Sequence, residues 1–70
     1  MTNEELDNLF SYHPPQGNQV ERYNDIREAG RLFAQVIVDS TPPGPDQSAA
    51  IRKVREAVMT ANAAIACGEV

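Results

Sequence analysis

Residues 40–45 read Ser40-Thr41-Pro42-Pro43-Gly44-Pro45, and this run decides the fold. Proline has no backbone donor and glycine favours turns, so neither a helix nor a central strand can pass through it. Upstream, Tyr23, Ile26, Gly30, Phe33 and Ile37 recur at helical spacing. Leu32, Val36 and Val38 widen that stripe until the last two turns are apolar nearly all round, which calls for cover on more than one side. The Val36–Val38 run has strand composition, but its place inside a long helical pattern makes it helix. Downstream, Ile51, Val54, Val58, Ala61 and Ile65 form a second stripe. Two helices of roughly 20 residues, each about 30 Å long, joined by a short turn, make an antiparallel hairpin.

The termini of the elements can be read in the same way. Thr2-Asn3-Glu4-Glu5 has capping-box spacing, with Thr2 as N-cap and Glu5 reaching back. Leu6, Leu9 and Phe10 give the short helix that follows one apolar edge, and it stops before Pro14-Pro15. Gln16-Gly17 completes the bend. Asn18 is the expected N-cap of the second helix, with Glu21 three residues on. Asp46 is the expected cap of the third, and Gly68 its expected stop. The sequence therefore predicts an all-α chain, a single domain over residues 1–70, with helices at about 3–10, 19–39 and 47–66.

A chain of 70 residues without tryptophan is near the size at which one protomer struggles to exclude enough apolar surface. Its aromatic contribution rests on Phe10, Tyr12, Tyr23 and Phe33, and self-association is the usual remedy. The third helix carries Ala49, Ala50, Ala57, Ala61, Ala63, Ala64 and Ala66 on several faces, which suits close packing across subunits as well as simple helix formation. A homo-oligomer is expected. The net charge of −4, from ten acidic and six basic residues, argues against a nucleic-acid polymer as partner. No basic face suits a membrane surface, and no apolar run approaches 18 residues. With Cys67 the one cysteine there is no internal disulfide, and by itself it makes no zinc site. A cytoplasmic protein is the simple expectation.

The placement of the charges is more informative than their sum. Arg22 has Asp25 at helical-neighbour spacing, Arg31 has Glu28, and Arg52 and Lys53 both reach Glu56. Arg27 and Arg55 have no carboxylate three or four positions away. Either they pair with a carboxylate on another helix or subunit, or lie in solvent, or serve an anion. Counted from the turn, their heights along the two helices differ by about one turn, so a shared site is compatible with the hairpin.

The other unusual segment is Phe10-Ser11-Tyr12-His13-Pro14-Pro15. A proline-stiffened bend presents an aromatic ring at low entropic cost, and a ring stacks on a nucleobase; the plainer role for Tyr12 is a packing lid. His13 has no carboxylate or second imidazole at spacing that suggests a metal or a catalytic dyad. Ser48 and Thr60 offer only weak hydroxyl contacts, and Met59 is the sort of residue that fills a core or interface. Gly17, Gly30, Gly44 and Gly68 are isolated and form no phosphate-binding loop. Binding without catalysis and without a cofactor is the expected class.

Taken in order, Phe10–Pro15, Tyr23 with Ile26-Arg27, the proline turn, Ala50-Ile51-Arg52, Arg55-Glu56-Ala57-Val58-Met59 and Ala61-Asn62-Ala63-Ala64-Ile65-Ala66 resemble the small phage anti-CBASS sponge proteins. Their hairpin domain is shared with a sponge family that counters Thoeris defence. The resemblance covers nearly the whole chain and implies sequestration of cyclic nucleotide messengers by a helical homo-oligomer, typically a hexamer, in the infected bacterial cell. It implies cyclic dinucleotides as ligands and, in some members, cyclic trinucleotides in a second class of pocket. In such proteins an aromatic of the Tyr-His-Pro-Pro segment stacks on a base and a basic residue early in the long helix meets phosphate. Tyr12 and Arg27 stand at those places, with His13 beside Tyr12 a further candidate ligand contact. For the second pocket, an arginine of the last helix is implied, Arg55 first and Arg52 second. Two other readings remain: a hairpin that binds a protein partner through its apolar and alanine faces, or a sponge for cyclic ADP-ribose isomers. A nucleotide-processing enzyme is the remote third.

Overall fold

A computed structural model describes residues 1–69 as three helices. α1 spans Asn3–Phe10, α2 Gln19–Ser40 and α3 Pro45–Gly68. The all-α expectation holds among the described residues, and the helix bounds agree to within two residues at every end.

The N-cap of α1 forms as expected: Thr2 Oγ1 accepts from the Glu5 amide at 3.1 Å. Glu4 and Glu5 place negative charge in the first turn, where the helix dipole favours it. The chain leaves the helix at Ser11, which is extended, and Ser11 Oγ donates back to the Asp7 carbonyl. Gly17, at φ 55°, takes the left-handed conformation that lets the bend close, and the Gln19 amide donates to Gln16 O at 3.0 Å across it.

Three expected caps are built differently. Asn18 precedes α2 but makes no side-chain cap, because its ψ of 15° leaves the extended geometry that a capping side chain needs. Its Oδ1 instead accepts from Arg22 Nε at 3.1 Å. α3 starts before Asp46: Pro45 is its first residue, where a missing N–H costs nothing, and Gly44 is the N-cap. Asp46 lies in the first turn as a dipole partner. Gly68 does not stop α3 but is its last residue, with Glu69 following at φ −112°. Gln47 closes the hairpin turn, its Nε2 donating to both Thr41 O and Thr41 Oγ1 at 3.1 Å.

α2 packs along α3, and the closest approach falls at Gly30. A Cβ at this position would stand closer than 3.0 Å to Val58 Cγ2. The alanines of α3 suggested small-residue packing; within the protomer the contact is made by a glycine of α2 against a valine of α3.

The molecule is one layer of helices thick. Its extents are 44 × 28 × 13 Å, and the shortest is about one helix diameter. A single layer has no interior, and no described residue is buried. Phe33 is 58% exposed, Leu32 61% and Val36 59%, so the apolar stripe of α2 faces solvent in the isolated protomer. A shallow apolar groove of about 560 Å³ runs along this face between Ile26, Phe33, Ile37, Val54 and Ala61.

Candidate functional site

Beside that groove, and sharing Gly30, Val54 and Val58 with it, α2 and α3 enclose a second, smaller one of about 220 Å³. Arg27, Arg31 and Arg55 line it together with Gly30, Ala34, Ile51, Val54 and Val58. The arginines lie one turn apart on α2 and opposite on α3, which is what the matched heights of Arg27 and Arg55 in the sequence anticipate. No carboxylate lines this groove. Three guanidinium groups over an apolar floor, in a chain of net charge −4, form a local field of the opposite sign to the whole.

The expected ion pairs along the helix faces do not form. Among the described residues the one ion pair joins Arg22 to Glu69, not to Asp25. Arg22 Nη1 donates to Glu69 Oε2 at 2.8 Å and Nη2 to Oε1 at 2.5 Å, with Gln19 Nε2 adding a third bond at 3.0 Å. A two-pronged guanidinium–carboxylate fit outcompetes a single exposed contact along one helix, which is worth little. The Arg22 hydrogen bond, then that of Gln19, holds the Glu69 carboxyl at about 2, below its ordinary 4.5. Arg31, expected opposite Glu28, donates to Gln35 Oε1 at 2.9 Å, a neutral partner that leaves its charge uncompensated. Arg52 and Lys53 make no ion pair with Glu56.

Arg27 donates to Asn24 Oδ1 at 3.1 Å, again a neutral partner. It also borders a neighbouring cavity of about 320 Å³ with His13, Tyr23, Asn62, Ala63 and Ala66. Arg27 is thus the hinge between the arginine groove and a mixed aromatic and amide wall. Asn62 Oδ1 in that wall is inaccessible and has no hydrogen-bond partner. An unsatisfied amide oxygen of this kind costs about 1–3 kcal/mol.

The structure therefore brings together Arg27, Arg55 and His13 of the residues singled out in the sequence, through two cavities that share Arg27. Arg52 is exposed and lies outside the arginine groove. Tyr12 is 84% exposed on the bend and contributes to neither cavity, one residue from His13, which does. Arg31 and Asn62 were missed in the sequence. Arg31 was set aside for its spacing to Glu28. Asn62 had a readable signal: it is a poor helix former standing beside Ala61 in the apolar stripe of an alanine-rich helix.

Among the described residues, no group of three His, Cys, Asp or Glu side chains is placed to hold a metal ion. Nor, among the described residues, is any helix long and apolar enough to cross a membrane. No curated protein and no solved structure matches the chain. A family model does: the hairpin domain of Acb2/Tad1 matches residues 2–66, from the N-cap of α1 into the last turn of α3. The chain belongs to the Acb2/Tad1 hairpin-domain family, the anti-CBASS and anti-Thoeris sponge family.

Proposed function

We propose that the protein captures cyclic oligonucleotide second messengers and holds them without cleavage, so that CBASS effectors are not activated. The observation that carries this reading is the arginine groove without a carboxylate. A cyclic dinucleotide presents two phosphates and two bases on a compact ring. Guanidinium groups give phosphate charge-assisted, often bidentate hydrogen bonds. Arg27, and Arg31 beside it, meet phosphate in this account, and Tyr12 stacks on a base for about 1–3 kcal/mol. Arg55, on the α3 wall of that groove, with Arg52 outside it as the second choice, is the arginine that serves a cyclic trinucleotide, and His13 lines the approach. Family membership supports a sponge-like role in anti-defence.

Assembly is part of the proposal. A layer 13 Å thick with Leu32, Phe33 and Val36 all more than half exposed gains stability by covering that face with further copies. A homohexamer would also bring the exposed Tyr12 of one protomer against the cavities of another. The working place is the cytoplasm of the infected bacterial cell, where the messengers are made.

The exposed apolar face also favours a second reading, in which a protein partner covers it. Isothermal titration of cyclic dinucleotides into Tyr12→Ala and Arg27→Ala, with size-exclusion chromatography beside it, separates the two. Weaker binding in both variants with assembly intact supports the sponge. Unchanged affinity in both would sink the assignment.

A further inference from the structure

The bend that carries Tyr12 is held by a knot whose centre is Asn8. Leu6, Leu9 and Phe10 of α1 are 41%, 48% and 85% exposed, and the one half-buried residue of that helix is an asparagine. Asn8 Nδ2 donates to Cys67 O at 2.9 Å. That carbonyl belongs to the last turn of α3, where helix carbonyls have no partner in the helix itself. The Asn8 carbonyl in turn accepts from His13 Nε2 at 2.7 Å, and the Cys67 thiol approaches the same oxygen at 3.8 Å. One residue thus ties α1 to the end of α3 and the bend to α1.

Tyr12 sits between two such ties. Ser11 Oγ is bonded to Asp7 O before it, and His13 Nε2 to Asn8 O after it. The Tyr12 side chain makes no hydrogen bond of its own and is 84% exposed, so its neighbours set where the ring stands. An eight-residue helix has too little cooperativity to hold its place unaided.

We propose that Asn8 is a positioning residue: its side chain fixes the end of α1 to α3, and the bond from His13 to the Asn8 main-chain carbonyl carries that order to Tyr12, pre-organised for ligand stacking. The ligand half of this statement rests on the sponge reading above; the ordering of the bend does not. His13 contributes through its bond to the Asn8 main-chain carbonyl, with Nε2 engaged rather than offered to ligand. Pre-organisation raises affinity by removing an ordering cost from the binding step.

The test uses the full chain with Asn8→Asp, which keeps size but sets a carboxylate acceptor against the Cys67 carbonyl, and His13→Phe, which keeps a ring but lacks the donor. The ¹⁵N heteronuclear NOE at the Tyr12 amide is compared with Ile26 and Val54, and cyclic di-AMP is titrated into each variant. In both variants the Tyr12 NOE should fall while Ile26 and Val54 hold. Affinity for cyclic di-AMP should drop about tenfold, as for loss of one good hydrogen bond. Adding Asn8→Asp to Tyr12→Ala should cost nothing further. A Tyr12 amide as ordered as in the parent, or an equal loss of order through α2 and α3, would overturn the proposal. If the parent fails to bind cyclic di-AMP, the ligand assignment for that probe falls, and the NOE comparison still decides the role of Asn8.

Discussion

Replacing Gly30 with alanine sets two effects of opposite sign against each other. In an isolated helix the change is favourable by about 0.8–1.0 kcal/mol. In the hairpin the new Cβ would lie inside 3.0 Å of Val58 Cγ2, with Val54 Cγ1 at 3.8 Å, whereas ordinary contact begins at 3.4 Å. Either the helices part there or Val58 leaves its rotamer, and a helical valine holds one χ1 well about 90% of the time. Overpacking of this kind costs about 1–3 kcal/mol. Taking the middle of that range against the helix gain leaves a net loss of about 1 kcal/mol. For a domain of this size the loss lowers Tm by about 4–8 °C. In a Val58→Ala background the obstructing methyl groups are gone, and the same glycine substitution should raise Tm instead. Circular-dichroism melts of the four proteins, at one concentration because assembly makes Tm concentration-dependent, give the comparison. A shift of the same sign in both backgrounds would refute the close approach of α2 and α3 at this point.

Two further outcomes are expected. The folded pKa of Glu69, about 2, lies below its ordinary 4.5, so the clasp with Arg22 and Gln19 contributes fully above about 4.5 and is lost as pH falls through about 2. A ¹³C titration of the Glu69 carboxyl should show a midpoint near 2 in the parent and a higher one in Arg22→Ala, where only the Gln19 bond still lowers it; the same midpoint in both would show that Arg22 does not hold this carboxyl. Asn62→Ala should raise protomer stability by about 1 kcal/mol, since it deletes an inaccessible oxygen that has no donor. A lowered Tm would show that Asn62 is already satisfied.

Much of the fold was legible because proline and glycine act locally. Pro42 through Pro45 stop α2, and Pro14-Pro15 stand just beyond α1, whatever the rest of the chain does. The errors came where tertiary placement overrides a local preference. Asn18 and Asp46 have capping chemistry, but the bend around Gly17 and the proline at the start of α3 put other atoms at the helix ends. Arg22 was matched to Asp25 by spacing, and only the antiparallel fold brings Glu69 to it from 47 residues away. The site was half legible for the same reason. That Arg27 and Arg55 lack local partners is visible along the sequence, whereas the joining of Arg31 to their groove depends on how α2 packs against α3. The Asn8 knot joins residues 59 apart and has no one-dimensional signature.

The central claim is capture without turnover, and a capture-and-release assay addresses it directly. Purified protein is mixed with cyclic di- and trinucleotides and cyclic ADP-ribose isomers, filtered away, and the free nucleotide read by chromatography before and after the protein is digested. A cyclic oligonucleotide should disappear with the protein and return chemically unchanged on digestion. Nucleotide that stays free throughout, or returns altered, would contradict the claim.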